Sequence, residues 1–351
     1  MYKIQIIPQT LHFKQTVGTS RGFYSIRDLW YLILTSDKQP GRWGIGECAP
    51  LPALSCDNIP DYERILSNAC KRVEKSGKID VDILRPFPSI LFGLETALQH
   101  FNSGNFALWD TPFSRGEQGI PINGLIWMGN YDKMLNQIES KMEAGFRCIK
   151  LKIGAIHFNE ELDLLQHIRK RFSADKIEIR VDANGAFSPD EAPEKLKSLA
   201  KLQIHSIEQP IRARQIQAMK ALCKTTPLPI ALDEELIGVN DPDDKKDLLY
   251  TIHPQYIILK PSLHGGFAGC REWIQAANKL NIGWWITSAL ESNIGLNAIA
   301  QWCATSNSSF PQGLGTGLLF SDNIEMPLSI RKDSLWFDPT GDMPDISDFI
   351  I

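Results

Sequence analysis

The sequence lacks the features that mark secreted, membrane-spanning and nucleic-acid-binding proteins. Its seven cysteines are odd in number and form no CxxC pair, so neither a disulfide framework nor a zinc site is indicated. The net charge is only −4 and no run of like charges occurs, which argues against a nucleic-acid or anionic-membrane partner. No apolar run approaches the roughly 20 residues of a membrane helix, and residues 1–8 lack a signal-peptide core. We expect a cytoplasmic protein, and the sequence leaves its oligomeric state open.

One glycine-rich segment matches a nucleotide-binding pattern but is followed by the wrong residues. Gly44–Ala49 fits G-x-G-x-x-A, the fingerprint of dinucleotide-binding folds. That fingerprint requires a helix to open at its end, and here Pro50-Leu51-Pro52 follows. We therefore interpret the segment as a strand that runs into a loop, and an NAD-dependent oxidoreductase is disfavoured.

The first 105 residues predict a separate domain of the α+β class. Strand-like stretches come first and helix-like stretches follow without alternation, which is typical of that class. The strands are predicted at Lys3–Thr16, Asp28–Thr35 and Trp43–Cys48, and the helices at Asp61–Lys75 and Ser89–Phe101. We expect the tail from about residue 327 to 351 to return to this domain.

Residues 106–326 contain a ladder of apolar segments that each end at a charged residue. The charged residues are Lys152, Asp182, Glu208, Asp233 and Lys260, separated by 30, 26, 25 and 27 positions. This period is one strand, one helix and two loops, the repeat of a (β/α) barrel. Further strands are predicted at Ile122–Trp127, Ile282–Ser288 and Gly313–Thr316. The chemistry of such barrels lies at the carboxyl ends of the strands, where these charges would meet.

Two lysines of the first segment predict a general base. Lys150 and Lys152 are two residues apart, so both side chains point to the same side of a strand. Inside a barrel, like charge and burial would each lower a lysine pKa towards the neutral range that a base needs. The alternative is an exposed strand with two solvated lysines, which is the commoner place for lysine.

Three carboxylates on consecutive strand ends predict a divalent metal site. Asp182, Glu208 and Asp233 would repel one another unless a cation lay between them, and an all-oxygen set favours Mg²⁺, with Mn²⁺ as the alternative ion. Any one of them alone could be a helix cap or an ion-pair partner. A base beside such a metal suits removal of the proton α to a carboxylate, because the metal stabilises the enediolate that forms. Lys260 would complete the opposite wall, unless it reaches out to solvent.

These motifs together resemble the muconate-lactonizing branch of the enolase superfamily. The resemblance spans nearly the whole chain and rests on Lys150-Leu151-Lys152, Asp182-Ala183-Asn184, Ile207–Pro210, Asp233-Glu234, Lys260-Pro261, Ser288–Leu296 and the loop Gly46–Pro52. It implies a (β/α)7β modified barrel with an N-terminal α+β capping domain. A lysine base beside Mg²⁺ is a known arrangement of this superfamily.

Within the branch, Glu47–Ser55 and Gly313–Gly317 are most similar to enzymes that form o-succinylbenzoate for menaquinone synthesis. The resemblance implies a carbon–oxygen lyase that catalyses syn dehydration of 2-succinyl-6-hydroxy-2,4-cyclohexadiene-1-carboxylate. Lys152 would be the base and Lys260 would stabilise the enolate. The loops 16–24 and 50–55 would shape the site. Substrate contacts are expected from Asn184, Ser262, Ser288 and Leu51.

Four other functions are alternatives. A dipeptide epimerase or an N-succinylamino acid racemase would use the same lysines and metal. A barrel that only binds a ligand would have no need of opposed lysines. A metal-dependent hydrolase would want a further metal ligand, typically histidine, beside the carboxylates.

Overall fold

The computed structural model describes residues 1–19, 22–306 and 308–345, and its N-terminal part is an antiparallel sheet covered by helices. The sheet consists of β1 (Tyr2–Thr19), β2 (Gly22–Ser36) and β3 (Trp43–Cys48) in that order. Helices α1 (Tyr62–Ser76), α2 (Val81–Leu84) and α3 (Pro88–Ser103) follow. The predicted order of strands before helices is confirmed. Residues 20 and 21 of the predicted loop 16–24 lie outside the described residues.

The glycines of the apparent nucleotide motif serve the packing of α3 on β3. A Cβ atom on Gly44 or Gly46 would overlap the backbone carbonyl oxygen of Ala97 or Gly93 on the helix. The helix and strand therefore approach more closely than side chains would allow. This close approach accounts for the G-x-G spacing without a nucleotide.

The second part is a barrel in which strands and helices alternate. Among the described residues, seven parallel strands lie side by side in chain order, after a two-residue strand β4 (Ile120–Pro121). They are β5 (Gly124–Ile126), β6 (Cys148–Lys152), β7 (Glu178–Asp182), β8 (Ser206–Glu208), β9 (Ile230–Leu232), β10 (Tyr256–Leu259) and β11 (Gly283–Ile286). The helices that follow them are α4 (Tyr131–Glu143), α5 (Phe158–Arg171), α6 (Ala192–Ala200), α7 (Ile216–Thr225), α8 (Pro242–Ile252), α9 (Gly266–Lys279) and α10 (Asn293–Cys303).

The eighth strand of the barrel is shorter than predicted. Isolated parallel bridges join Gln312 to Ile122 and Gly313 to Thr287, so this short segment lies between the first and seventh strands. The stretch Gly313–Thr316 forms no regular strand in the described structure. A side chain at Gly313 would overlap Thr287, so the glycine permits the contact that closes the barrel.

The tail pairs differently from our expectation. Strands β12 (Leu328–Arg331) and β13 (Ser334–Phe337) form a hairpin, and β13 pairs with β4 rather than with the N-terminal sheet. The hairpin buries Leu335 and Phe337, and the latter ring packs near Phe113, which fixes it to the start of the barrel. The predicted return of the tail is therefore wrong for its described part. Residues 346–351 lie outside the described residues.

Carboxylates from the N-terminal part bind the amino ends of two barrel helices. Glu95 of α3 accepts hydrogen bonds from the backbone of Phe267 and Ala268 at the start of α9. Glu47 of β3 accepts them from Ser292 and Gly295 at the start of α10. Free backbone N–H groups and the helix dipole both favour a carboxylate there. We propose a domain boundary near residue 105, with these caps joining the two domains.

The described residues include no helix that is long and apolar enough to cross a membrane.

Candidate active site

Strand β6 places two lysines inside the barrel. Ile149 and Leu151 are fully buried in the hydrophobic core, and the alternate residues Lys150 and Lys152 have side chains only 9% and 11% exposed. Lys150 Nζ lies 2.6 Å from Glu208 Oε2 and 3.0 Å from Asp182 Oδ2. Lys152 Nζ lies 3.1 Å from the same Asp182 oxygen. The period of two in this strand therefore brings both ammonium groups to one side.

The predicted carboxylates follow one another around the carboxyl end of the sheet. Asp182 and Glu208 are the last residues of β7 and β8, and Asp233 follows β9 directly. All three are nearly inaccessible to solvent. Lys260 follows β10 and forms an ion pair with Asp233. The structure thus brings together the six charged residues of the predicted site.

Burial and crowding shift the pKa values of these groups in opposite directions. Burial, followed by the neighbouring Asp182 carboxylate, raises the pKa of Glu208 to about 8. Burial acts in the same direction on Asp182, but Lys150 and Lys152 outweigh it and hold the pKa of Asp182 below its ordinary value. For Lys150 burial is again outweighed, here by Asp182 and Glu208, which raise its pKa above the ordinary value. Lys150 therefore stays charged. That its charge helps Lys152 to act as a base stays a prediction.

The carboxylates have oxygen atoms to offer to a cation. Glu208 Oε1 and Asp233 Oδ1 are buried without a hydrogen-bond partner, an arrangement that costs free energy unless a cation binds them. The described residues contain no three His, Cys, Asp or Glu side chains already gathered as a metal site. Lysine ammonium groups lie between the carboxylates instead. The chemistry of the oxygens fits a hard divalent ion, and binding requires the lysines to yield part of their contacts.

A cavity of about 100 Å³ lies above these residues. Its lining includes most of the predicted site: Leu51, Lys150, Lys152, Asp182, Asn184, Asp233, Lys260 and Ser288. Glu208 lies beneath the lining, in contact with Lys150. Both domains contribute, since Leu51 comes from the loop after β3 and the others come from the barrel.

Two residues near β10 are buried and serve the structure around the site. Ser262 is fully buried and donates its hydroxyl to Glu291, so our expectation that it contacts substrate is not supported. His264 is also buried, and its Nδ1 accepts a hydrogen bond from the backbone N–H of Lys260 at 3.0 Å. Burial lowers the pKa of His264 to about 3, so the ring is neutral. His264 thereby fixes the backbone that carries Lys260.

Sequence reasoning missed most of the uncharged lining. Asn123, Leu125 and Trp127 project into the cavity from β5 and its flanks, and their spacing of two residues is the signal that could have identified them. Leu54, Leu263 and Leu290 add an apolar wall; Leu54 lies in the loop 50–55 and Leu290 in the motif Ser288–Leu296, but neither leucine was predicted individually. The cavity is thus charged at its base and apolar along its side.

Asn184 connects the proposed base to a further carboxylate. Its Oδ1 accepts a hydrogen bond from Lys152 Nζ at 2.8 Å, and its Nδ2 donates to Glu234 Oε1 at 3.0 Å. Asn184 also has a positive φ of 43°, a conformation that asparagine tolerates better than most residues. The side chain is held from both ends, which restricts the position of Lys152.

Comparisons with known proteins extend over nearly the whole chain. The family model "Enolase C-terminal domain-like" matches residues 133–334. The o-succinylbenzoate synthase of Desulfotalea psychrophila is 45% identical over 91% of this chain and 95% of that protein. The crystal structure of MenC from the same species has a TM-score of 0.84 at 41% identity, covering 95% of this chain and 99% of that one. The L-Ala-D/L-Glu epimerase of Bacillus subtilis is 26% identical over 85% of this chain and 82% of that protein.

Proposed function

The chain belongs to the enolase superfamily, and we propose that it is the lyase of this superfamily that forms o-succinylbenzoate. Its substrate is 2-succinyl-6-hydroxy-2,4-cyclohexadiene-1-carboxylate, and its product serves menaquinone synthesis. The observation that carries the proposal is 45% identity to an o-succinylbenzoate synthase over nearly the whole of both chains. The site supplies what the reaction needs, namely lysines on opposite walls, buried carboxylates and an apolar side.

Lys152 is the proposed base. It removes the proton α to the substrate carboxylate, and the electron pair of that C–H bond forms a double bond to the carboxylate carbon, which places negative charge on the carboxylate oxygens. When the neighbouring C–O bond breaks, this electron pair moves into the ring, the ring becomes aromatic and hydroxide departs with the pair of the C–O bond. Lys152 then gives its proton to the departing hydroxide, so water leaves from the face on which the proton was taken. One lysine on one face accounts for a syn dehydration.

Lys260 and the carboxylates support this step from the other side. Burial alone would lower the pKa of Lys260, but Asp233, Glu208 and Glu234 outweigh it and raise that pKa. Lys260 therefore offers a positive charge to the developing enolate rather than a second base. Lys150 is proposed to act through its charge and through its contacts with Asp182 and Glu208.

Members of the superfamily depend on a divalent metal. We propose Mg²⁺, with Mn²⁺ as a substitute, held by Asp182, Glu208 and Asp233, because a set of carboxylate oxygens suits a hard ion. When bound, the ion supplies positive charge where the substrate carboxylate becomes more negative. The unpartnered oxygens of Glu208 and Asp233 support this assignment.

The proposed substrate contacts are with residues that line the cavity. Asn184 and Ser288 offer polar groups, while Leu51 and the other leucines face the carbon skeleton. The test is to offer the cyclohexadiene substrate, L-dipeptides and N-succinyl amino acids to one preparation. We expect dehydration to have the largest kcat/KM. Dipeptide epimerisation with a much larger kcat/KM would refute the substrate assignment and leave membership of the superfamily standing.

A further inference from the structure

A buried arginine of the N-terminal sheet binds three backbone carbonyls at the edge of the cavity. Arg27 of β2 is 1% exposed. Its Nη1 donates to Pro50 O at 2.7 Å, its Nη2 donates to Ala49 O, and its Nε donates to Leu290 O at 3.1 Å. Two of these carbonyls belong to the loop after β3 and the third to the loop after β11. One guanidinium therefore links the two domains beside the site.

The three carbonyls belong to the backbone that carries two lining residues, one from each domain. Leu51 directly follows Pro50, and both Leu51 and Leu290 line the cavity. Leu290 has a φ of 64°, in the left-handed region that costs a non-glycine residue free energy. Such a conformation persists only where surrounding contacts hold it. The hydrogen bond from Arg27 Nε is one of those contacts.

The neighbouring groups fix the same region from other directions. Leu51 N donates to Ser55 Oγ at 2.7 Å, which closes the loop on itself. Glu291 accepts hydrogen bonds from the Ser262 hydroxyl and from the backbone of Ala289. Arg27 differs from these local contacts because only it, among the described hydrogen bonds to Pro50 and Leu290, spans both loops at once. A lysine could not replace it, since a single ammonium lacks the planar fork that reaches three acceptors.

We propose that Arg27 is a positioning residue, which fixes Leu51 and Leu290 relative to each other at the edge of the cavity. Their relative position determines how the substrate ring is held against Lys152. The identity of the ring rests on the proposed function, whereas the positioning of the two leucines does not. Displacements of about 1 Å in a site can reduce turnover on the order of 10²-fold.

The test compares Arg27 with a second contact between the domains. The variants are Arg27→Lys, Arg27→Met and the control Glu95→Gln. The control weakens the cap of α9, which Glu95 forms with Phe267 and Ala268, and neither of these residues lines the cavity. Amide hydrogen exchange is measured in peptides covering 49–55, 266–270 and 288–292, together with kcat and KM. For both Arg27 variants we expect faster exchange in 49–55 and 288–292, and a fall of about tenfold or more in kcat/KM carried mainly by kcat. For the control we expect faster exchange only in 266–270 and kcat/KM within about twofold of the parent.

Two results would overturn the proposal. In the first, amide exchange in 49–55 and 288–292 is the same in Arg27→Lys as in the parent. Arg27→Lys keeps the positive charge, so it provides the test if Arg27→Met fails to fold. In the second, Glu95→Gln loses as much kcat/KM as Arg27→Lys, which would make Arg27 a general stabiliser of the interface. A parent protein that fails to dehydrate the substrate refutes the proposed function instead, and the exchange data then decide the role of Arg27 alone.

Discussion

The N-terminal domain buries a neutral histidine whose contribution to stability should be lost in mild acid. His100 of α3 is 2% exposed, and its Nδ1 accepts a hydrogen bond from the backbone N–H of Ile45 in β3. Its ring packs against Trp43 and Phe106, with centroids 4.8 and 4.4 Å away. Burial lowers the pKa of His100 from 6.5 to about 4. Protonation would both charge a buried ring and remove the acceptor.

The sign and size of the effect follow from linkage. The folded pKa lies below the unfolded value, so the unfolded chain takes up the proton first as the pH falls. The contribution of neutral His100 to the free energy of unfolding is complete above about pH 6.5 and is lost as the pH approaches 4. Each pKa unit corresponds to about 1.4 kcal/mol, so about 2 kcal/mol should be lost by pH 5. Burial raises the pKa values of the carboxyls Glu47, Asp57 and Glu95 to about 7, 6 and 7, and these groups act in the opposite direction, so the contribution of His100 must be measured by difference.

A variant isolates the histidine from those carboxylates. His100→Asn keeps an acceptor for Ile45 but cannot take up a proton, so its stability should lack the loss in acid that His100 causes in the parent. Urea unfolding of both proteins between pH 7.5 and 5, followed by circular dichroism and tryptophan fluorescence, gives the two slopes. The change in the free energy of unfolding between pH 7.5 and 5 should differ by about 2 kcal/mol between the two proteins. Parallel slopes would refute the assignment of a depressed pKa to His100.

Further predictions concern the chemistry of the site. Lys152→Ala should fold normally by circular dichroism and lose on the order of 10⁴-fold in kcat, and near-normal turnover would falsify its role as base. Lys260→Ala should also lose at least about 10²-fold in kcat with a smaller change in KM, because its charge is needed in the transition state; an effect confined to KM would argue against this. Chelation should abolish turnover, and Mg²⁺ or Mn²⁺ should restore it and raise the unfolding midpoint with increasing ion concentration, whereas full turnover by metal-free protein would contradict a metal site.

The barrel and its charged residues could be predicted because both follow local rules. The repeat places Lys152, Asp182 and Glu208 at successive strand ends, and a strand period of two places Lys150 beside Lys152. These relations involve neighbours in the chain or in the repeat. The structure therefore adds distances to this part of the prediction but does not rearrange it.

The contacts between the domains could not be predicted, because they join residues far apart in the sequence. Arg27 reaches Leu290 and Glu47 reaches Ser292 across more than 240 positions, and nothing near either charged residue indicates that it is buried. The wrong prediction for the tail has the same cause. Strand β4 has only two residues, too few to show a sequence pattern that would identify it as a partner strand. Ser262 lies two residues after Lys260, yet its side chain faces Glu291 rather than the cavity.

The choice of reaction depends on residues that take no part in the proton transfer. The lysines and carboxylates at the base of the cavity would serve epimerisation as well as dehydration, since both begin with loss of an α proton. At the eighth position of the barrel, Gly313, Gly315 and Thr316 line the described cavity and supply no carboxylate that could bind a substrate ammonium group. The leucines that line the same cavity suit a carbon ring instead. Selectivity for o-succinylbenzoate formation thus depends on the uncharged walls, and the position of two of them is what Arg27 is proposed to fix.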